Sequence, residues 1–97
     1  MNVKILKLIT GEEIVCEVVS QDDTTVTVKN TVALVLQPNK DGGIQMGFLP
    51  WANMVDGDVT IANVNVMYTA EPKDDLKSSY SSMFGGIVTR PKTLITG

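Results

Sequence analysis

Val59-Thr60-Ile61-Ala62-Asn63-Val64-Asn65-Val66-Met67-Tyr68 carries the pattern that decides the fold. Val59 and Ile61 stand at odd positions, whereas Val64, Val66 and Tyr68 stand at even ones. Successive side chains of a β-strand point to opposite faces, so a slip of one position would send the apolar set to the wrong side of a sheet. A short turn or bulge at Ala62-Asn63 absorbs the slip. The stretch therefore reads as a strand pair split by a turn.

Upstream, the same period recurs between turn signals. Val3 to Ile9 reads as a strand, and Thr10-Gly11-Glu12 reads as a glycine-centred turn where positive φ is called for. Glu13 to Ser20 is its antiparallel partner, with Ile14, Cys16 and Val18 on a core face and Glu13, Val15 and Glu17 opposite. Gln21-Asp22-Asp23-Thr24 is a polar turn. From Val26 to Leu36 the even positions are almost all apolar, which predicts one long strand with a bend near Asn30. Pro38 to Gly43 is a strong turn signal, Ile44 to Trp51 returns as the second arm of that hairpin, and Asp56-Gly57-Asp58 turns again.

Downstream, Glu71-Pro72 closes the sheet region and Asp74-Asp75 caps a helix. Its Leu76, Tyr80, Met83 and Phe84 fall on one face, which predicts a cover for one end of the sheet or an interface. Gly85-Gly86 would stop that helix, and Ile87 to Gly97 reads as an extended tail, either disordered or laid along a neighbour. The chain contains no repeat and no low-complexity tract.

Composition narrows the chemistry. The 97 residues hold no histidine and one cysteine, and the formal net charge is −3. The usual general base and the commonest metal ligand are thus missing, and one thiol cannot form an intramolecular disulfide or a zinc cluster. Cys16 reads as a small buried apolar residue. Asp22-Asp23 and Asp74-Asp75 are turn and helix-start residues, not a paired acid and base, because neighbours on a strand face opposite ways. Asp41-Gly42-Gly43 lacks the lysine and the strand-to-helix setting of a phosphate loop. An enzyme is not expected, nor a cofactor or a metal. No run reaches membrane-spanning length and the first residues lack a signal-peptide pattern, so a cytoplasmic location is expected. Trp51, beside Pro50, and Tyr68 are the aromatic residues suited either to core and subunit packing or to stacking on a base.

Five strands with a turn-split final pair resemble the small, strongly bent barrel of the Sm-like (LSm) proteins. Gly11, Cys16 and Val18 occupy the places of glycine, small residue and apolar residue in that family's first motif. Asp22 takes the place of an aspartate in the following RNA-contacting loop, with Val26 or Thr25 where the family has asparagine. Val59 to Tyr68 matches the frame of the second motif, with Ala62-Asn63 replacing its Arg-Gly pair. The helix follows the last strand, whereas most members carry one before the first. Short phage-encoded members look most similar.

The resemblance implies an all-β fold over residues 1–70, a five-stranded bent barrel, with residues 71–97 adding a short C-terminal helix and tail to the same domain. It implies a homo-oligomeric ring, single-stranded RNA as ligand, no membrane, and the cytoplasm of a phage-infected bacterial host. The implied RNA contacts are Asp22, Thr24 and Thr25 from one loop and Asn63 and Asn65 from the other. Without the family's arginine, binding is expected to be weak or altered in specificity. The alternative is an oligomeric structural or regulatory protein-interaction module that does not bind RNA. Apolar residues on both faces of Thr31 to Gln37 favour association on their own account.

Overall fold

A computed structural model describes residues 2–52 and 54–84. The elements in chain order are β1 (Val3–Leu8), β2 (Glu13–Gln21), β3 (Thr25–Pro38), β4 (Ile44–Pro50), β5 (Val59–Ala62), a 3-10 turn (Asn63–Asn65), β6 (Val66–Ala70) and α1 (Asp74–Phe84). All pairings are antiparallel, in the order β4-β3-β2-β1-β6, with β5 paired to the first half of β3. The result is the expected mainly-β architecture with a short C-terminal helix.

The phase slip has a definite job. β5 lies on β3, with Thr25 opposite Ala62 and Val28 opposite Val59, whereas β6 lies on β1, with Leu6 opposite Thr69. The 3-10 turn between them carries the chain from one side of the sheet to the other. The split is thus the joint that bends the sheet into a barrel, and a 3-10 turn stands where a bulge was the other option.

The bend in β3 falls on Asn30. Val15 pairs with Val32 but Glu17 pairs with Lys29, so Cys16 faces the two residues Asn30 and Thr31, a bulge in β3. Asn30 sits at φ +51°, a region that asparagine enters more readily than most residues. Its side-chain amide donates to Glu17 Oε2 at 2.7 Å, and its carbonyl accepts the Tyr80 hydroxyl at 2.5 Å. The β1–β2 turn needs glycine for a similar reason. Gly11 lies at φ +99°, and its N–H reaches the Leu8 carbonyl at 2.9 Å.

Two apolar layers flank the sheet. Leu6, Leu8, Ile14, Cys16, Val26, Val28 and Ile61 fill the barrel interior. On the opposite face Val3, Val15 and Val32 meet Leu76 and Tyr80 of α1. Val15, which alternation places with Glu13 and Glu17 away from the core, is fully buried because the helix covers that second face. Of the expected helix stripe, Leu76 and Tyr80 are buried and Phe84 is half-buried against Tyr80, whereas Met83 is exposed. The Asp75 carboxylate accepts the Leu76 N–H at 2.8 Å, and both acids sit in the first turn, where the helix dipole favours negative charge. β4 ends at Pro50, one residue short of the expected Trp51. The Gly85-Gly86 stop and the tail from Ile87 lie outside the described residues.

Candidate nucleic-acid interface

The β2–β3 loop is organised by one carboxylate. Asp22 Oδ1 accepts the N–H groups of Thr24 and Thr25, each at 2.8 Å, and their hydroxyls at 3.2 and 3.3 Å. The Asp22 N–H in turn donates to the Thr25 carbonyl at 2.9 Å. An aspartate that closes its own turn in this way favours a compact loop. The backbone bond from Thr24 and then that from Thr25 favour the ionised form and hold the Asp22 carboxyl below its ordinary range.

The 3-10 turn is tied to this loop by Asn63. Its backbone N–H donates to the Thr24 carbonyl at 2.8 Å, and its side-chain Nδ2 donates to the Asp22 carbonyl at 2.9 Å. Its Oδ1 is buried and has no hydrogen-bond partner among the described residues. The fold therefore brings Asp22, Thr24, Thr25 and Asn63 together. Their placement also changes what each can do: Asp22 Oδ1 and both threonine hydroxyls are engaged within the loop, and one donor of Asn63 holds the two segments to each other.

Asn65 belongs to a different surface. Its carbonyl accepts the Ile9 N–H at 3.0 Å, and the residue lines an open cavity of about 320 Å³ with Leu8, Ile9, Thr10, Glu12, Trp51 and Ile61. Trp51 Nε1 donates to Glu12 Oε2 at 3.2 Å, and Glu12 Oε1 accepts the Thr10 hydroxyl at 3.0 Å. Thr10 and Glu12 were not among the residues expected from sequence. A polar Thr-Gly-Glu turn was the visible sign, but nothing local indicates that a tryptophan 39 residues later closes over it. Tyr68 lies apart, exposed on β6, with its hydroxyl donated to Glu13 Oε2 at 2.8 Å. That bond, ahead of burial and the Glu13 charge, raises the Tyr68 pKa.

The cavity has apolar walls, one indole and a few polar groups, and its size lies at the low end of the ~300–1,000 Å³ typical of small-ligand sites. It suits a planar ring. Among the described residues, neither the Asp22–Thr25 loop, the 3-10 turn nor the cavity lining contains a lysine or arginine. These described residues can exchange hydrogen bonds with base edges but supply no cation for a phosphate.

Among the described residues no three His, Cys, Asp or Glu side chains are grouped to hold a metal ion, and no helix is long and apolar enough to cross a membrane. Cys16 is fully buried, and burial followed by the nearby Glu17 charge pushes its thiol up to about 12. It is therefore protonated and inert at neutral pH.

Comparison with curated proteins finds no match. The family model described as the Sm_like domain matches residues 5–81, from β1 through most of α1. That span includes both loops, the cavity and all six strands except the first two residues of β1. The chain belongs to the Sm-like family.

Proposed function

We propose that this chain is a binding protein, not an enzyme, which assembles into a homo-oligomeric ring and takes up single-stranded RNA weakly through base contacts. The observation that carries the reading is the Asn63 clamp. It fixes the Asp22–Thr25 loop to the turn whose far side, at Asn65, opens into the Trp51 cavity. An unstacked base lying on the indole there would gain roughly 1–3 kcal/mol from stacking, and Asn65 would meet its edge.

Assembly is supported by free sheet edges. Among the described residues β4 pairs with β3 alone, and β6 pairs with β1 alone. Val64, Met67 and Tyr68 beside the β6 edge are 84, 62 and 46% exposed. Unpaired edges with apolar side chains invite a partner strand, and a second copy supplies one. The resemblance to short phage-encoded members supports reading the ring as one that acts in the cytoplasm of an infected bacterial cell.

A second reading, a protein-interaction ring without RNA, is favoured by the acidic groups Asp22, Asp23 and Glu12 at the sites where phosphates would approach. Light scattering after size-exclusion chromatography, followed by titration with labelled poly-U and poly-A, separates the two. Binding of either RNA by the oligomer supports the first reading, and an oligomer that ignores both supports the second. A monomer contradicts both.

A further inference from the structure

Among the described residues, Glu12 supplies the one charge that lines the Trp51 cavity. Its carboxylate is held from two sides: Trp51 Nε1 donates to Oε2 at 3.2 Å, and the Thr10 hydroxyl donates to Oε1 at 3.0 Å. A carboxylate accepts about four hydrogen bonds, two at each oxygen, so each oxygen keeps room for one more donor. The Glu12 main-chain carbonyl accepts the Leu8 N–H at 2.8 Å, which ties the turn that carries this side chain to β1. The cavity thus presents two acceptor atoms side by side at the rim of an indole. A phosphate is repelled there, whereas a pair of N–H groups is drawn in.

We infer that this cavity selects guanine from among the bases of a single strand, with Glu12 as the residue that decides the choice. The preference rests on the RNA reading above, in which a base lies on the Trp51 indole. A base in that position turns an edge toward Glu12, because the carboxylate stands at the indole edge, 3.2 Å from Nε1. On its pairing edge guanine carries N1–H and N2–H side by side, so its two donors meet the two oxygens in charge-assisted bonds. Uracil shows a single N–H between two carbonyls, and one of those carbonyls would face the carboxylate. Adenine and cytosine each offer an amino donor beside a ring nitrogen whose lone pair would face it. With any of these three bases an acceptor is set against an acceptor, which rejects the wrong ligand as well as failing to hold it. Asn65, which lines the same cavity, has an amide able to donate to guanine O6. Stacking alone does not give this preference, since adenine offers a ring system of the same size.

The full chain is titrated with labelled short oligouridylates that differ at one central base: uracil, cytosine, adenine, guanine or hypoxanthine, the last being guanine without its N2 amino group. A single guanine per strand keeps the strands from assembling with one another. Fluorescence anisotropy should show guanine bound roughly tenfold or more tighter than uracil or adenine, the size of one bidentate base contact, with hypoxanthine in between. Glu12→Gln keeps the side chain's size and the main-chain bond, but it sets one acceptor and one donor where the carboxylate has two acceptors. It should abolish the guanine preference while leaving uracil no more weakly bound and the oligomer unchanged in size. A preference that survives Glu12→Gln overturns the assignment. If the unaltered chain binds every strand alike, the guanine preference fails and the RNA reading stands; if it binds none, both fail. Unlabelled guanosine, which carries the same edge without a strand, should displace the guanine-bearing strand only in large excess. Displacement at equal concentration would make the ligand a nucleoside and overturn selection from a strand.

Discussion

Tyr80→Phe isolates one hydrogen bond at the junction of helix and barrel. Tyr80 is fully buried, its ring centroid lies 4.9 Å from that of Phe84, and its hydroxyl donates to the Asn30 carbonyl at 2.5 Å. Phenylalanine keeps the ring and the packing but leaves that carbonyl without its donor. Losing a partner at a buried acceptor costs about 1–3 kcal/mol, and the lower half of the range applies because the Asn30 side chain reaches solvent. For a domain of this length each kcal/mol moves Tm by roughly 4–8 °C, so a loss of ~4–16 °C is expected. Tyr80→Ala removes the ring as well and should cost roughly 3–5 kcal/mol through the cavity it opens. Urea unfolding at one fixed protein concentration reads both values, with an unchanged m showing that the same surface is exposed. If Tyr80→Phe unfolds at the same urea concentration as the parent, the bond does not hold the bend, and the link from α1 to the β3 bulge is wrong.

Other substitutions probe the turns and the interface. Gly11→Val should lower stability by roughly 1–2 kcal/mol, purely from backbone strain at φ +99°, since a Cβ there meets no atom within 4 Å; thermal melts check it. Asp22 has a lowered pKa, so its contribution to stability is complete above its ordinary value near 3.8 and is lost as pH falls through the lower folded value. Asp22→Asn keeps an acceptor but does not titrate, and Tm followed from about pH 5 to pH 2 should fall less steeply than in the parent. Ala62→Arg, with Asn63 retained to hold the loops, should tighten RNA binding by about 1–3 kcal/mol and steepen its salt dependence by about one phosphate contact, as read by fluorescence anisotropy.

Much of the fold was legible because strand period and turn chemistry are local. The odd-to-even change after Ile61 marked the joint, and Asn30 marked the bend, since few other residues in that run tolerate left-handed backbone. Val15 was misplaced for a tertiary reason: a strand covered on both faces breaks simple alternation, and only the docking of α1 shows that the second face is covered. In the candidate site, the family frame located both loops but not the roles within them. Asp22 spends Oδ1 on its own turn, Asn63 binds the loops together, and Asn65 faces elsewhere because 3-10 geometry rotates residues two apart to different sides. The Trp51–Glu12–Thr10 cluster joins segments distant in sequence, and no short motif announces it.

The central claim is that an Sm-like oligomer reads bases with little help from phosphates. Its most direct test is the titration of labelled poly-U into the purified oligomer at two salt concentrations. Weak, saturable binding whose affinity changes little with salt is predicted, because no lysine or arginine among the described residues lines the loops or the cavity. Nanomolar binding with a steep salt slope would place the RNA path on a basic surface elsewhere. Absence of binding by the intact oligomer would contradict the RNA reading altogether.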